Sequence, residues 1–290
     1  MFGQVLIYAL ILATQVLFIA LALHAVRLVS RVINLALGGI ATAGAYTFYF
    51  AFTQQGWSVV WSAIFTILVL SVLGALNYYI NERPTRKNQH LLALLASFGL
   101  GLGLEAIIAL IFGTASKSFS VGIASSFNFG EYQVPFSGVA IIIGGLIIAI
   151  SAILAYQFTP IGRTLRAISE NNFSAMSLGI NQSRFRITAY ILAALVAGSI
   201  GALSGLYTAI TPTMGFNLLV LGFIALLVGG VNDLKGTILA AYFVVVIPQL
   251  VVGLVPSVSA NWQMLIVFVI ASILLVLRPA GLFSPKQRLI

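Results

Sequence analysis

The run "VLIYALILATQVLFIALAL", Val5–Leu23, holds nineteen residues and no charge. About 20 apolar residues rising 1.5 Å each match about 30 Å of bilayer hydrocarbon, so the run is long enough to cross a membrane as one helix. No basic residue precedes it and no small-residue cleavage site leads from it into a polar chain. It therefore reads as a first span rather than a cleaved leader. The rest of the sequence repeats the pattern, with further apolar segments at about 33–52, 57–79, 91–112, 137–158, 188–210, 217–231, 237–254 and 261–277, the seventh and eighth of them short. Of the 290 residues 61% are hydrophobic and 7% charged, far from the quarter charged that a soluble domain carries. The expectation is an all-α polytopic transmembrane bundle of about 8–9 spans, forming a single domain over residues 1–290 with no separate soluble domain.

The net charge of +9 acquires meaning from where the bases sit. With nine crossings and the N-terminus outside, Arg27, Arg31, Arg83, Arg86, Lys87, Arg163, Arg166, Arg184, Arg186, Lys235, Arg278, Lys286 and Arg288 all fall on one side, and only Lys117 of the 14 Lys and Arg falls on the other. That is the asymmetry of the positive-inside rule; it places the C-terminus in the cytoplasm and reads the basic excess as an orientation signal rather than a nucleic-acid footprint. The absence of cysteine excludes disulfides, thiolate metal sites and cysteine nucleophiles. There is no G-x-x-x-x-G-K-[ST] phosphate loop, no H-E-x-x-H and no G-x-S-x-G, and five acids with two histidines offer no paired carboxylates. The chain reads as a non-enzyme with no metal and no cofactor of its own.

The longest polar passage, "GRTLRAISENNFSAMSLGINQSRFR" (Gly162–Arg186), lies on the basic side within a loop of about 159–187. Thr159 and Pro160 have the form of an N-cap and first helical residue, so a helix is expected over "TPIGRTLRAISEN". A second, shorter helix fits "NFSAMSLG", with Asn172 as its cap and Gly179 in the left-handed position that ends it. Phe173 and Met176 then share an apolar face with Ile180 close by, either as a docking element or folded back on the protein or the headgroups. Glycine-rich "NLALGGIATAGAY" (Asn34–Tyr46) and "GGVNDLKGT" (Gly229–Thr237) read as broken or re-entrant helices, or as tight helix packing. The connection at about 113–136 reads as a folded or re-entrant loop.

Glu105, in "GLGLEAI", is the one acid placed inside a span, which makes it a functional candidate; the alternatives are a pairing with a Ser or the backbone in the bundle, or a carboxylic acid kept neutral by desolvation. His24 and His90 read as interfacial, Asp233 as a helix cap or partner of Lys235, and Trp57, Trp61, Tyr78 and Trp262 as interfacial belt residues.

The pattern Gly162-Arg163, Arg166-Ala167, Glu170, Ala175-x3-Gly179-Ile180-Asn181 resembles the cytoplasmic coupling loop of ABC importer permeases, in the form carried by the branched-chain amino-acid (and urea or short-amide) permease family. "RVINLALGGIATAGAY", "ERPTR", "TPTMGF", "ALLVGGVNDLKGTILAAY" and "LRPAGLF" agree with that family in order along nearly the whole chain. The resemblance implies a permease subunit in the bacterial cytoplasmic (inner) membrane. It would work beside a second, homologous permease, two cytoplasmic ATPases that bind ATP and Mg, and an external solute-binding protein, and would import a small, most readily branched-chain, amino acid or a urea-like amide. The candidate ATPase-coupling residues are Arg163, Arg166, Glu170, Phe173, Ala175, Met176, Gly179 and Ile180, and the candidate translocation pathway takes in Asn34, Gly38, Gly39, Thr213 and Asn217 together with Glu105, which as an acid at depth would contact the ammonium group of an amino acid in transit. Relatives often carry His or an acid after the counterpart of Asn34, where this chain has Leu37 and Gly39, and usually a neutral residue at Glu105. The rival class is an ion-coupled secondary transporter or channel for a small neutral solute, for which Glu105 is the one candidate ion site.

Overall fold

A computed structural model describes residues 2–86, 89–119, 126–129, 132–170, 172–255, 258–279 and 281–282. Its elements are α1 (Phe2–Ser30), α2 (Ala36–Tyr49) running into a π-helical turn (Phe50–Gln54), α3 (Val59–Arg86), α4 (His90–Phe112), a hairpin of β1 (Ser126–Phe129) and β2 (Tyr132–Pro135), α5 (Phe136–Phe158), α6 (Pro160–Glu170), α7 (Asn172–Ser177), α8 (Gln182–Gly205), α9 (Met214–Gly229), α10 (Leu234–Leu254), a 3₁₀ turn (Ala260–Trp262) and α11 (Gln263–Leu277). Each apolar segment of the sequence falls on a helix. Six of them, α1, α3, α4, α5, α8 and α10, are long and apolar enough to cross a membrane. The 16 residues of α9 and 15 of α11 make helices of about 24 and 22 Å, short of the hydrocarbon thickness.

Apolarity all round a helix means burial all round, and α1 is the case in point: every residue from Ala13 to His24 is buried, among α5, α8, α9 and α10. By contrast α3, α4, α5 and α11 turn large apolar side chains outward, among them Leu68, Val72, Leu110, Ile111, Ile147 and Val276. A contiguous surface of this kind is stable only under lipid or another membrane subunit.

The second central helix, α2, packs on α4, α8 and α9 through glycine. A Cβ on Gly39 would lie 2.3 Å from the Gly101 carbonyl oxygen, on Gly44 2.1 Å from that of Gly198, on Gly215 1.9 Å from that of Gly38, and on Gly201 1.8 Å from that of Ala41. Here backbone meets backbone, as small residues allow in membranes. Of the two readings of Asn34–Tyr46, the glycines take tight packing within one unbroken helix, and the chain breaks only at its start, at residues 31–35, where Arg31 takes a left-handed φ of 56°. The irregular backbone there is satisfied locally, since Leu35 N–H donates to Ser97 Oγ (3.1 Å) and Ala36 N–H to Asn34 Oδ1 (3.0 Å). The second expected break, Gly229–Thr237, is a tight turn between packed α9 and α10. Gly230 leaves the helix at φ 104°, and the Asp233 carboxylate caps α10 by accepting from Lys235 and Gly236 N–H (3.0 and 3.2 Å).

Three local expectations are revised. Helix α8 begins at Gln182, inside the stretch expected to be loop, because Asn181 caps it by accepting from Arg184 N–H; capping, not hydropathy, sets that boundary. His24 is 1% exposed, with Nδ1 3.5 Å from Thr237 Oγ1, and so belongs to the α1–α10 seam rather than the interface. Tyr78 is buried against Tyr190, and its exposed neighbour Tyr79 joins Trp57, Trp61 and Trp262 at the surface. The 113–136 connection contains the antiparallel hairpin, with Ser126 opposite Pro135, in an otherwise helical protein. Lys117 and Ile210 exchange backbone hydrogen bonds of 2.9 and 2.8 Å, tying this connection to the turn between α8 and α9.

Candidate functional site

Two places gather the residues singled out by the sequence. At the first, the chain turns sharply at the end of α5. Thr159 leaves the helix in an extended conformation, its Oγ1 accepts from Gly162 N–H at 3.1 Å, and Pro160 opens α6. Only glycine fits at 162, where a Cβ would lie 2.1 Å from the Tyr156 carbonyl oxygen. Arg166 folds back over that corner, donating to the Tyr156 carbonyl and lying 5.2 Å from the Tyr156 ring centre. It thus satisfies a carbonyl that the end of α5 leaves open. Ile168 is buried, α6 lies against α1, and Arg31 Nη2 donates to the Ser169 carbonyl at 3.0 Å, so the cytoplasm-expected end of α1 holds α6 directly.

Helix α7 ends as its sequence requires. Gly179, at φ 77°, donates to the Met176 carbonyl and Ile180 N–H donates to the Ala175 carbonyl, the paired bonds of a Schellman cap. Ala175 is buried beneath this turn, while Met176, Gly179 and Leu178 stand exposed, flanked by exposed Arg163 and Arg184. Of the residues expected to couple to an ATPase, Arg163 and Met176 are on the surface, Ile180 is half-buried, and Arg166 and Ala175 work within the element. The side chains of Glu170 and Phe173, and of Asn172 as a cap, lie outside what the structure describes.

The second place is a cleft of about 490 Å³ lined by Leu102, Glu105, Ala106 and Ala109 of α4, by Thr114, and by Thr211, Pro212 and Thr213 before α9. Glu105, 8% exposed, has its carboxyl beside the backbone of Phe216, and Thr42 Oγ1 of α2 accepts from Gly215 N–H at 3.1 Å. One N–H group of the first turn of α9 is therefore capped by a side chain of another helix, and a carboxylate nearby suits the positive end of that helix. Thr213, the residue at the capping position, makes no side-chain cap bond of its own. The fold thus brings Glu105 and Thr213 together. Gly38 and Gly39 sit in the α2 seams, Asn34 closes the turn before α2 with its Nδ2 buried and unpartnered among the described residues, and Asn217 is exposed on α9 away from the cleft.

Sequence reasoning missed Thr42, Ser97 and Arg31, whose roles are contacts between segments distant in the chain. The motif "TPTMGF" supplies Thr211, Pro212 and Thr213 to the cleft wall. Among the described residues no three or more His, Asp or Glu side chains gather to hold a metal ion.

The family described as "Branched-chain amino acid transport system / permease component" matches residues 5–276. The high-affinity branched-chain amino acid transport system permease protein LivH of Salmonella typhimurium is 25% identical over 275 residues, covering 88% of this chain and 86% of its own length. The corresponding BraD of Pseudomonas aeruginosa is 22% identical over 303 residues, covering 98% and 96%. Among solved structures, PsaBC from Streptococcus pneumoniae in complex with Fab aligns over 97% of this chain and 92% of its own, with a TM-score of 0.47 and 16% identity. With a match that spans nearly all of its apolar helices, the chain belongs to the branched-chain amino acid transport permease family, as a multi-pass membrane protein.

Proposed function

We propose that this chain is one of two homologous permease subunits of an ABC importer of the bacterial cytoplasmic membrane, with nine crossings and the N-terminus outside, moving a small amino acid inward. In this reading an external binding protein delivers the substrate, two cytoplasmic ATPases supply the energy, and this chain binds no ATP and carries out no chemistry. The observation that carries the reading is the capped α6–α7 element: two short helices broken from α5, exposing Met176 and Leu178 between Arg163 and Arg184 on the base-rich side. Such an element suits a groove on another subunit.

Its attachments make it a lever. Closure of the ATPase pair pushes α7; the corner pinned by Thr159, Gly162 and Arg166 passes the push to α5, Asn181 passes it to α8, and the Arg31 bond passes it to α1. Because packed helix seams hold discrete arrangements, a displacement at one end shifts the population from an outward to an inward cavity. Apart from Glu105, the helices present no charged side chain at mid-depth, which suits a substrate without net charge.

A mild-detergent pull-down of the tagged chain from its own membranes, with partners identified by mass spectrometry, tests this reading. Recovery of a second permease and an ATPase is the expected result. Recovery of the chain alone, or only with itself, would overturn it in favour of the channel or secondary-transporter class.

A further inference from the structure

We infer that residues 31–35 form a hinge of the transport cycle: on this joint a body built around α2 and α8 swings against a body built around α1, and the cleft between Glu105 and Thr213 changes width. The inference rests on the importer reading and names the moving joint that this reading leaves open.

Among the described residues Arg31 is the one non-glycine residue with a positive φ, a conformation that a residue bearing a Cβ keeps only where its surroundings enforce it. Beside it, the buried Ser30 Oγ and Asn34 Nδ2 have no hydrogen-bond partner among the described residues. Buried polar groups are almost always bonded, so two orphans at one joint call for a cause. A joint with two arrangements supplies it, since groups left open in one are satisfied in the other. What holds the present arrangement is local: Leu35 N–H donates to Ser97 Oγ, Ala36 N–H to Asn34 Oδ1, and the Arg31 guanidinium to the Ser169 carbonyl.

The packing on the two sides of the joint defines the two bodies. Gly44 on Gly198 and Gly201 on Ala41 join α2 to α8 backbone to backbone, Gly74 on Ile191 adds α3, and Gly39 on Gly101 adds α4. Seams this close hold their elements together. On the other side α1 lies against α9 and α10, which are locked to each other by Gly229 on Gly236, and α1 has little contact with α2. Although α1 also packs on α8, Gly198, Gly201 and Gly205 turn to other elements, which leaves a contact between side chains, the kind that shears. The cleft lies on the boundary, with Glu105 on α4 of one body and Thr213 before α9 of the other. Two fastenings cross that boundary on α2. Gly38 meets Gly215 three residues beyond the joint, where a swing moves little. The Thr42 bond to Gly215 N–H lies seven residues beyond it, about 10 Å along the helix, and acts as the latch. The α6–α7 element touches both bodies, through Arg31 on α1 and through the Asn181 cap that opens α8, so a push on it acts across the joint.

The test is amide hydrogen exchange, read by mass spectrometry, on the complete wild-type complex in lipid nanodiscs with and without a non-hydrolysable ATP analogue. The amides of Leu35, Ala36 and Gly215 should change their exchange rates together between the two conditions, by about tenfold or more, while the α2–α8 seam and Ala13–His24 of α1 stay equally protected in both. Equal protection of Leu35, Ala36 and Gly215 in the two conditions would overturn the hinge, and so would a change that runs equally through the α2–α8 seam. A second arm uses the left-handed residue. Arg31→Gly and Arg31→Ala both delete the bond to α6, but glycine adopts the left-handed conformation without the cost that alanine meets. Because the joint leaves that conformation as it swings, the glycine variant should hold the present arrangement about fivefold more than the alanine variant, seen as slower exchange at Gly215 with the analogue bound. Equal exchange in two assembled variants would overturn the hinge, and if either fails to assemble the wild-type arm decides. Failure of the importer reading is seen separately, as uptake that does not depend on ATP.

Discussion

Adding one methyl group at Gly201 should loosen the protein measurably, although Ala is a better helix former than Gly. A Cβ at 201 would lie 1.8 Å from the Ala41 carbonyl oxygen, about 1.6 Å inside the 3.4 Å at which ordinary contact begins. The atom it meets is backbone and cannot rotate away, so α2 and α8 must separate along a seam that also includes Gly44 against Gly198. Overpacking of this kind costs about 1–3 kcal/mol, and the upper part of that range applies where nothing flexible yields. Against it stands a gain of about 1 kcal/mol in helix propensity. The net expectation for Gly201→Ala is a loss of about 1–2 kcal/mol. Gly99 and Gly103 on α4 supply the control, since a Cβ on either meets nothing within 4 Å; Gly99→Ala and Gly103→Ala should keep the propensity gain and hold or raise stability. The assay is thermal unfolding of the purified chain in mild detergent, followed by the fluorescence of its three tryptophans, where about 2–4 °C accompanies each kcal/mol. Equal midpoints for Gly201→Ala and Gly99→Ala would refute the close approach of α2 and α8.

Other substitutions probe the remaining joints. Thr42→Val keeps the shape and removes the acceptor for Gly215 N–H; a buried unsatisfied donor costs about 1–3 kcal/mol, to be read as a lower unfolding midpoint, and an unchanged midpoint would mean that α9 is not capped from α2. Asp233→Ala deletes the cap of α10 and should cost about 0.5–2 kcal/mol, whereas Asp233→Asn should recover most of it. Met176→Asp should abolish ATP-driven uptake while membrane insertion and the thermal midpoint stay at wild-type values, because the side chain is exposed; normal uptake would remove α7 from the coupling surface. Arg31→Ala, which deletes the bond to the Ser169 carbonyl, should lower uptake per ATP hydrolysed, and an unchanged ratio would show that α1 takes no part in transmission.

Composition and short-range pattern were enough to announce a polytopic helical membrane protein. A bilayer tolerates only internally bonded backbone, so long apolar runs become helices whatever their neighbours. Local chemistry was equally legible where every partner lies within a few residues: Thr159 and Pro160 open α6, Gly179 closes α7 in the left-handed conformation, and Asp233 caps α10. What only the tertiary structure decided are the contacts between segments far apart in the chain. Hydropathy treats Gly38, Gly39 and Gly44 as possible breaks, and only the approach of α4, α8 and α9 turns them into seams. His24 reads as interfacial until α10 covers it, and Arg31 reads as one more basic residue until α6 arrives to accept its hydrogen bond. Glu105 was conspicuous in the sequence as a charge at depth, but its place beside the first turn of α9 and the cleft it shares with Thr213 arise only when residues more than a hundred positions apart fold together. Local sequence sets what each segment becomes because the solvent and near neighbours act on it directly; which side chains meet depends on how finished helices fit, and no short window of sequence contains that information.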